Sequence, residues 1–328
     1  MFNTTYDLVG VGSPIIDVLA RVPDSFLERI GGEKGGMVLT DGNTIGKWMA
    51  ELPGPYTEAP GGSAGNTIFA ATRLGLRTTF VGKTGNDSGG TFYRERLKLL
   101  GGNISHFKDG TIPNGRCLSL ITPDSERTLR TDLGAAATLL PEEITPVDFI
   151  GSSHAHIEGY LLFNPDLMMA VLKSAKEANC TTSLDLASFE VVEAARDRLP
   201  QLLDEYVSLV FANVEEATAF NGAKAPPREL ALKLAEHCDL AVVKAGADGA
   251  WLARGIEVIH SPAIPNITAV DTTGAGDYWA AGFLTGWIHG KPLDVCAAWG
   301  ARLGAEVVQV IGAELPEETW KKVLQDLS

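Results

Sequence analysis

The segment Asp271-Thr272-Thr273-Gly274-Ala275-Gly276-Asp277 leads directly into a helical pattern. Apolar residues recur at helical spacing after it, and Gly290 followed by Pro292 marks the end of that helix. The residues on the predicted apolar face are Trp279, Phe283, Trp287 and Ile288. A Gly-Ala-Gly turn therefore lies at a helix N-terminus, where backbone N–H groups lack helical partners and the dipole favours negative charge. Such a turn is predicted to bind an anion.

Asp277 falls in the first turn of this helix. The helix dipole keeps a carboxylate ionised there, which suits a base that accepts a hydroxyl proton beside a phosphate group. The structural alternative is a tight strand-to-helix turn in which Asp277 only pairs with the dipole. A second acid, Asp271, flanks the other side of the turn and favours the catalytic interpretation.

Short apolar runs alternate with helical segments along most of the chain, which is typical of βαβ units on a mostly parallel sheet. Glycine stops and changes of periodicity bound these elements. The predicted strands are residues 8–11, 78–81, 181–186, 209–212 and 240–243. The predicted helices are residues 62–74, 91–100, 166–178 and 228–237.

Two stretches interrupt the alternation. Residues 14–60 are rich in Gly and Pro with a predicted strand at Met37–Leu39, and residues 105–133 contain two strand patterns around a turn at 123–126. We expect a small β-rich lid formed by these two stretches, with ordinary edge strands of the main sheet as the alternative. The α/β core would then comprise residues 1–13, 61–104 and 134–328.

Composition excludes several classes of protein. The 328 residues include 27 Lys and Arg against 41 Asp and Glu, and this net charge of −14 argues against binding nucleic acid. The four cysteines form no CxxC pair, so we expect reduced thiols in a cytoplasmic protein rather than a zinc ribbon. No signal peptide is expected from the first residues, and no apolar run reaches the ~18 residues of a membrane span.

Two common glycine motifs do not fit the chain. Gly10-Val11-Gly12 follows the first predicted strand, but Ile15 stands where a dinucleotide-binding fingerprint needs its third glycine. Gly82-Lys83-Thr84 resembles the end of a P-loop, but Arg77 stands where the first glycine of that motif would be.

The segment at residues 271–277 resembles the signature of the ribokinase-like carbohydrate kinases, also called the pfkB family. Residues 61–66, 82–90 and 213–216 (GGSAGN, GKTGNDSGG and NVEE) resemble three further signatures and occur in the order found in the family. Residues 158–161 and 184–189 look most like the adenosine kinase branch. The resemblance implies an α/β, ribokinase-like fold: a mostly parallel central sheet flanked by helices, with a small β-sheet lid.

The resemblance also implies transfer of the γ-phosphoryl group of ATP to a hydroxyl group. Asp277 matches the catalytic base, and Gly274, Ala275 and Gly276 match the anion hole that neutralises charge on the transferred group. Arg127 matches a lid arginine that reaches phosphate, although a solvated charge on a strand is an equal alternative.

Metal and nucleotide residues follow from the same resemblance. Asn213 and Glu216 match residues that order Mg²⁺ and its waters, with a charged first helical turn as the alternative. The family also allows a monovalent cation such as K⁺ near Asp271 and Thr273. The residues matched to the nucleotide side are Lys244, Gly246, Gly249, Thr272 and Thr273.

The predicted substrate-binding residues are Ser13, Asp17, Gly61, Gly62, Asn66 and Tyr160. Asp17 matches the acid that binds substrate hydroxyls, and the glycines allow backbone to approach the ligand closely. A plain helix N-terminus with a glycine cap is the alternative for Gly61 and Gly62.

The resemblance implies the 5′-hydroxyl of a nucleoside as acceptor. Three residues depart from the pattern of adenosine kinases: Ser13 and Thr273 replace Asn, and Leu161 replaces a frequent aromatic residue. A sugar kinase of the ribokinase or fructokinase type, or a non-catalytic ligand-sensing relative, therefore remains an alternative. The expected partners are ATP and a nucleoside or sugar, without nucleic acid or membrane, and the chain is expected to be a monomer or a homodimer formed through the lid.

Overall fold

The apolar runs form the strands of two large sheets in the computed structural model, which describes residues 5–31, 34–124 and 126–327. The strands are β1 Tyr6–Val11, β2 Ile16–Arg21, β3 Met37–Leu39, β4 Tyr56–Pro60, β5 Thr78–Val81, β6 Lys83–Thr84, β7 Lys108–Asp109, β8 Asn114–Ile121, β9 Arg127–Gly134, β10 Ser152–Glu158, β11 Thr181–Asp185, β12 Leu209–Asn213, β13 Leu240–Lys244, β14 Ala250–Arg254 and β15 Glu257–Ser261.

Helices connect most of these strands. They are α1 Asp24–Ile30, α2 Gly42–Ala50, α3 Ser63–Arg73, α4 Ser88–Leu99, α5 Pro165–Glu177, α6 Phe189–Ala195, α7 Leu199–Tyr206, α8 Val214–Asn221, α9 Pro227–Leu234, α10 Ala275–Ile288, α11 Leu293–Val307 and α12 Glu317–Asp326. In the described part of the chain, no helix combines the length and apolar character that crossing a membrane requires.

The larger sheet has the strand order β15-β14-β13-β12-β11-β10-β1-β5. Neighbours from β13 to β5 are parallel, and β14 and β15 add an antiparallel edge. Alternate side chains of each strand face opposite layers of helices: Leu8 packs in one apolar cluster and Val9 in the other. The predicted α/β class with a mostly parallel, helix-flanked sheet is confirmed.

The second sheet has the order β3-β9-β8-β2-β4 and is separate from the first. The predicted hairpin is present as the antiparallel pair β8 and β9, so these strands are not edges of the main sheet. Ser125, in the predicted turn, lies outside the described residues. One face of this sheet packs Ile16, Val18 and Leu118 against α1 and α2. The division of the chain into a lid and a core at the expected boundaries stays a prediction.

Most predicted elements agree with the structure to within a few residues, but residues 14–60 differ from the prediction. They contain strands β2 and β4 and helices α1 and α2 in addition to the predicted strand β3. Strand β4 is mostly polar and lies at a sheet edge, so apolar alternation does not reveal it.

Close packing of α10 on α11 places the N-terminus of α10 over the main sheet. A Cβ atom on Gly282 would lie 2.5 Å from the carbonyl oxygen of Trp299, and one on Gly300 would lie 2.8 Å from the indole of Trp279. The two helices therefore approach each other at positions that only glycine can occupy.

We predict that Gly282→Ala lowers the free energy of unfolding by roughly 1–3 kcal/mol, because the added methyl group overlaps backbone atoms that cannot move independently. Urea unfolding measures the change. Gly46→Ala is the matched control: that helical glycine in α2 has open space around it, so alanine should stabilise by about 0.5–1 kcal/mol. Equal stability of both variants would contradict the inferred packing.

Candidate active site

A cavity of about 1340 Å³ lies between the main sheet, the second sheet and the N-terminus of α10. Parallel strands of the main sheet end at it, where Glu158, Asp185, Asn213 and Lys244 are the last residues of their strands. Ligands of open α/β sheets bind at this edge. The cavity is therefore the candidate active site.

The structure brings nearly all predicted site residues to the cavity. Those that line it are Ser13, Asp17, Gly62, Asn66, Arg127, Tyr160, Asn213, Glu216, Lys244, Gly246, Gly249, Thr272, Thr273, Gly274, Ala275, Gly276 and Asp277. Gly61 is the exception, because it lies behind Asp17: a Cβ atom at Gly61 would fall 2.4 Å from the carboxylate of that residue. Gly61 thus makes room for Asp17 and does not line the cavity.

The glycine turn has the backbone that the sequence predicts. Gly274 is the N-cap of α10 with φ of 70°, a left-handed conformation that favours glycine. The N–H of Ala275 donates to the carbonyl of Thr272 at 3.2 Å, so this part of the predicted anion hole is already engaged. The N–H groups of Gly276 and Asp277 belong to the first turn, where no carbonyl one turn earlier can accept them. These two groups can bind an anion.

Asp277 is half-buried in the wall of the cavity. One carboxylate oxygen accepts a hydrogen bond from Ser63 Oγ and the other from Asn66 Nδ2, both at 2.8 Å. Burial, and then the negative charge of Asp185, raise the pKa of Asp277 to about 7. The two hydrogen bonds act in the opposite direction and fix the orientation of the carboxylate. Asp277 can therefore exchange a proton near neutral pH.

The cavity contains a second half-buried acid. Asp17 projects from β2, and burial raises its pKa to about 6 although Arg127 counteracts this. Arg127 begins β9 of the second sheet, and its guanidinium donates to Asp271 at 3.2 Å. Asp271 also accepts from the N–H and hydroxyl of Thr273 and from the N–H of Gly312. An ion pair thus joins the second sheet to the segment that precedes α10.

Residues 49–320 match the model of the pfkB family carbohydrate kinases. The chain belongs to the pfkB family of carbohydrate kinases. It is therefore a phosphotransferase with a hydroxyl group as acceptor, and the family resemblance predicted from residues 271–277 is confirmed.

Individual relatives match the chain over its whole length. Adenosine kinase 1 of Arabidopsis thaliana is 25% identical over 97% of this chain and 99% of its own length. The structure of an adenosine kinase from Sinorhizobium meliloti is 32% identical with a TM-score of 0.88, and the alignment covers 99% of this chain and 100% of that one. The structure of a probable sugar kinase from Rhizobium etli CFN 42 is 29% identical with a TM-score of 0.89, and the alignment covers 98% of this chain and 99% of that one.

Residues of this pfkB chain that sequence reasoning missed include Asp185, Glu158 and Ser63. Asp185 bonds the ammonium of Lys244 at 2.8 Å. Glu158 accepts from the N–H of Ser13 at 2.9 Å and is buried against Gly12, where no side chain would fit. Both acids end parallel strands, and that position at the binding edge of the sheet is the signal that could have found them.

Asn213 and Glu216 suit the predicted role near Mg²⁺. Each caps the other: the backbone N–H and side-chain amide of Asn213 donate to Glu216, and the N–H of Glu216 donates to Asn213. Burial, and then Asp185, raise the pKa of Glu216 to about 7, so a nearby cation would be favourable. Oxygen donors are what Mg²⁺ prefers. Among the described residues no cluster of three His, Cys, Asp or Glu side chains that could hold a metal ion occurs.

The predicted monovalent cation stays a prediction. Its expected ligand Asp271 has both carboxylate oxygens engaged, one by Thr273 and Arg127 and the other by Gly312.

Because Asp277 has a raised pKa, its charge destabilises the folded chain. We predict that Asp277→Asn raises the free energy of unfolding at pH 8 by up to roughly 4 kcal/mol. The gain should vanish near pH 4, grow as the pH rises to about 7, where native Asp277 ionises in the folded state, and then level off.

Chemical unfolding at several pH values measures this gain. Asp7→Asn is the control, and its effect on the free energy of unfolding should have the opposite sign. Hydrogen bonds from Arg77 lower the pKa of Asp7, so removing this carboxylate should destabilise the protein at pH 8. A loss of stability in the Asp277 variant at pH 8 would refute the inferred cost of its charge.

Proposed function

We propose that the protein transfers the γ-phosphoryl group of ATP to the 5′-hydroxyl of a nucleoside, with adenosine as the first acceptor to test. The observation that carries the proposal is the place of Asp277: a half-buried carboxylate, oriented by two hydrogen bonds, that follows an anion-binding turn and lines the same cavity as Asp17. Full-length similarity to adenosine kinases supports the choice of acceptor.

Asp277 acts as the general base. Its carboxylate takes the proton of the acceptor hydroxyl, the hydroxyl oxygen bonds to the γ-phosphorus, and the bond from that phosphorus to the β–γ bridging oxygen breaks to release ADP. Ser63 and Asn66 hold the carboxylate in place while the proton moves. A pKa of about 7 keeps a substantial fraction of Asp277 ionised at neutral pH.

The N–H groups of Gly276 and Asp277 stabilise the negative charge on the transferred group. They are fixed at the helix N-terminus, so they need no rearrangement during the reaction. Mg²⁺, when bound with the nucleotide, neutralises phosphate charge, and Asn213 and Glu216 would hold it through water. Lys244 adds a positive charge at the same edge of the sheet.

The lining of the cavity favours a nucleoside over a free sugar. Aliphatic side chains of the second sheet, of connecting segments and of α5 line the cavity, and they suit an apolar ring better than a hydroxyl-rich ligand. These side chains are Ile15, Leu129, Leu133, Leu139, Leu161 and Leu167. Tyr160 and Phe163 line the same cavity and are partly exposed, so they are available to contact a base.

The second sheet is proposed to act as a lid. Arg127 projects from it into the cavity, and its partner Asp271 can be exchanged for a phosphate group when nucleotide binds. We further propose a cytoplasmic location, and a monomer or a homodimer formed through this sheet.

The acceptor is tested by measuring ADP formation with adenosine, ribose, fructose and no acceptor. We expect adenosine to support the highest kcat/KM and to yield the 5′-monophosphate, identified by chromatography and mass spectrometry. Faster turnover with a sugar would favour the sugar kinase alternative, and no ADP with any acceptor would favour a ligand-sensing relative.

The base is tested with Asp277→Asn, which we expect to lower kcat by at least ~10²–10⁴-fold with ATP binding retained. In the natural protein, kcat/KM should fall as the pH drops below about 7, because protonated Asp277 cannot accept a proton. Near-normal turnover of the variant would exclude Asp277 as the base.

A further inference from the structure

Buried Asp185 and half-buried Lys244 form an ion pair next to the glycine turn. They end strands β13 and β11, which lie on either side of β12, and the ammonium is 2.8 Å from Asp185 Oδ2. The same ammonium lies 2.8 Å from the point that a Cβ atom on Gly276 would occupy. The ammonium thus occupies the space that a side chain at Gly276 would need, beside the anion-binding turn.

Asp185 is itself held in place by strained backbone. Its second oxygen accepts a hydrogen bond from the N–H of Ala187 at 3.1 Å. Ala187 has φ of 66°, a conformation that residues with a Cβ rarely adopt. Strain of this kind persists where the surrounding structure enforces it, often at functional sites. Both oxygens of Asp185 therefore have fixed partners, one of them the ammonium.

We propose that Asp185 is a positioning residue that holds the ammonium of Lys244 under the Gly274–Asp277 turn, where its charge supports the phosphoryl group during transfer. A positive charge that is held in a fixed position next to the turn interacts favourably with a triphosphate without having to reorient during the reaction. The inference rests on the phosphotransfer reaction of the family and not on the identity of the acceptor.

The chain also contains a comparable ion pair that does not line the cavity. Asp148 bonds Lys108 at 2.7 Å, and Asp148 is as buried as Asp185, each with 4% of its surface exposed. Neither Asp148 nor Lys108 lines the cavity. Asp148→Asn is therefore the matched control for loss of a buried, lysine-paired aspartate.

The main test compares Asp185→Asn, Lys244→Met and the double variant, using calorimetric titration with Mg-ATP in the absence of acceptor. Lys244→Met alone leaves a buried unpaired carboxylate and is expected to destabilise the protein. The double variant removes both charges and should recover thermal stability. It should still bind Mg-ATP about 10- to 100-fold more weakly than the natural protein, the magnitude of a lost bond to a charged group.

The dependence of kcat/KM on pH provides a second test, because an ion pair with only a structural role would not change the pH at which kcat/KM falls. The groups around Asp277 are Asp185 on β11, Lys244 on β13, Glu216 on α8, Tyr160 after β10, and Ser63 and Asn66 on α3. Asp185→Asn removes a negative neighbour and should shift the acid limb of kcat/KM to lower pH. Lys244→Met removes a positive neighbour and should shift it to higher pH.

Two outcomes would overturn the proposal: natural affinity for Mg-ATP in the double variant, or shifts of the acid limb in the same direction in both single variants. Weaker Mg-ATP binding in Asp148→Asn by the same factor would also overturn it, because the effect would then be one of general stability. The titration measures Mg-ATP binding in the absence of an acceptor. Its result therefore does not depend on whether adenosine is a substrate.

Discussion

Buried negative charge at the junction of sheet and helix is the constraint on which the site depends. Glu158, Asp185 and Glu216 line the same cavity as Asp277 of the first turn of α10, and Lys244 pairs with Asp185 among them. Burial, and then the charge of the neighbouring Asp185, raises the pKa of Glu216 and of Asp277 to about 7. The arrangement costs stability, and it leaves a base ready to accept a proton at neutral pH.

The close approach of α10 and α11 explains how this arrangement is maintained. Gly282 of α10 lies against the backbone of α11, and Gly300 of α11 lies against the indole of Trp279 on α10. Because these contacts are close, a rotation of α10 would cause a clash. Its first turn is thereby held over the strand ends, and Asn66 and Ser63 of α3 fix Asp277 from the side. These groups lie on helices and on strands of the main sheet, whereas Arg127 belongs to the separate second sheet.

The parts of the fold that follow local rules could be predicted from the sequence. Helix α10 has a left-handed glycine at its start and apolar residues at helical spacing, so its position and its anion-binding turn were predictable. Strands β2 and β4 were missed because their pattern is weak and their stability comes from pairing with distant segments. Tertiary context decides such strands more than local preference does.

The same distinction applies to the site. Residues inside recognisable motifs were placed correctly at the cavity, among them Asp277, Asn213 and Lys244. Asp185 and Glu158 lie in segments that resemble the adenosine kinase branch, but they were not named as site residues because their place at the cavity depends on the order of strands in the sheet. Gly61 was assigned to the substrate because a glycine permits close approach, but the group that approaches it is the carboxylate of Asp17.

The position of β1 has a consequence for how the chain folds. Strand β1 lies between β5 and β10 in the sheet. Its pairing with β10 joins residues far apart in sequence, such as Tyr6 and Ser152, so β1 has strands on both sides only after that pairing has formed. Pairings so distant in sequence slow folding, because loop-closure entropy is lost before contacts compensate for it. During synthesis β1 therefore emerges with one unpaired, apolar edge, and β10 covers that edge only after residues 152–158 have been made.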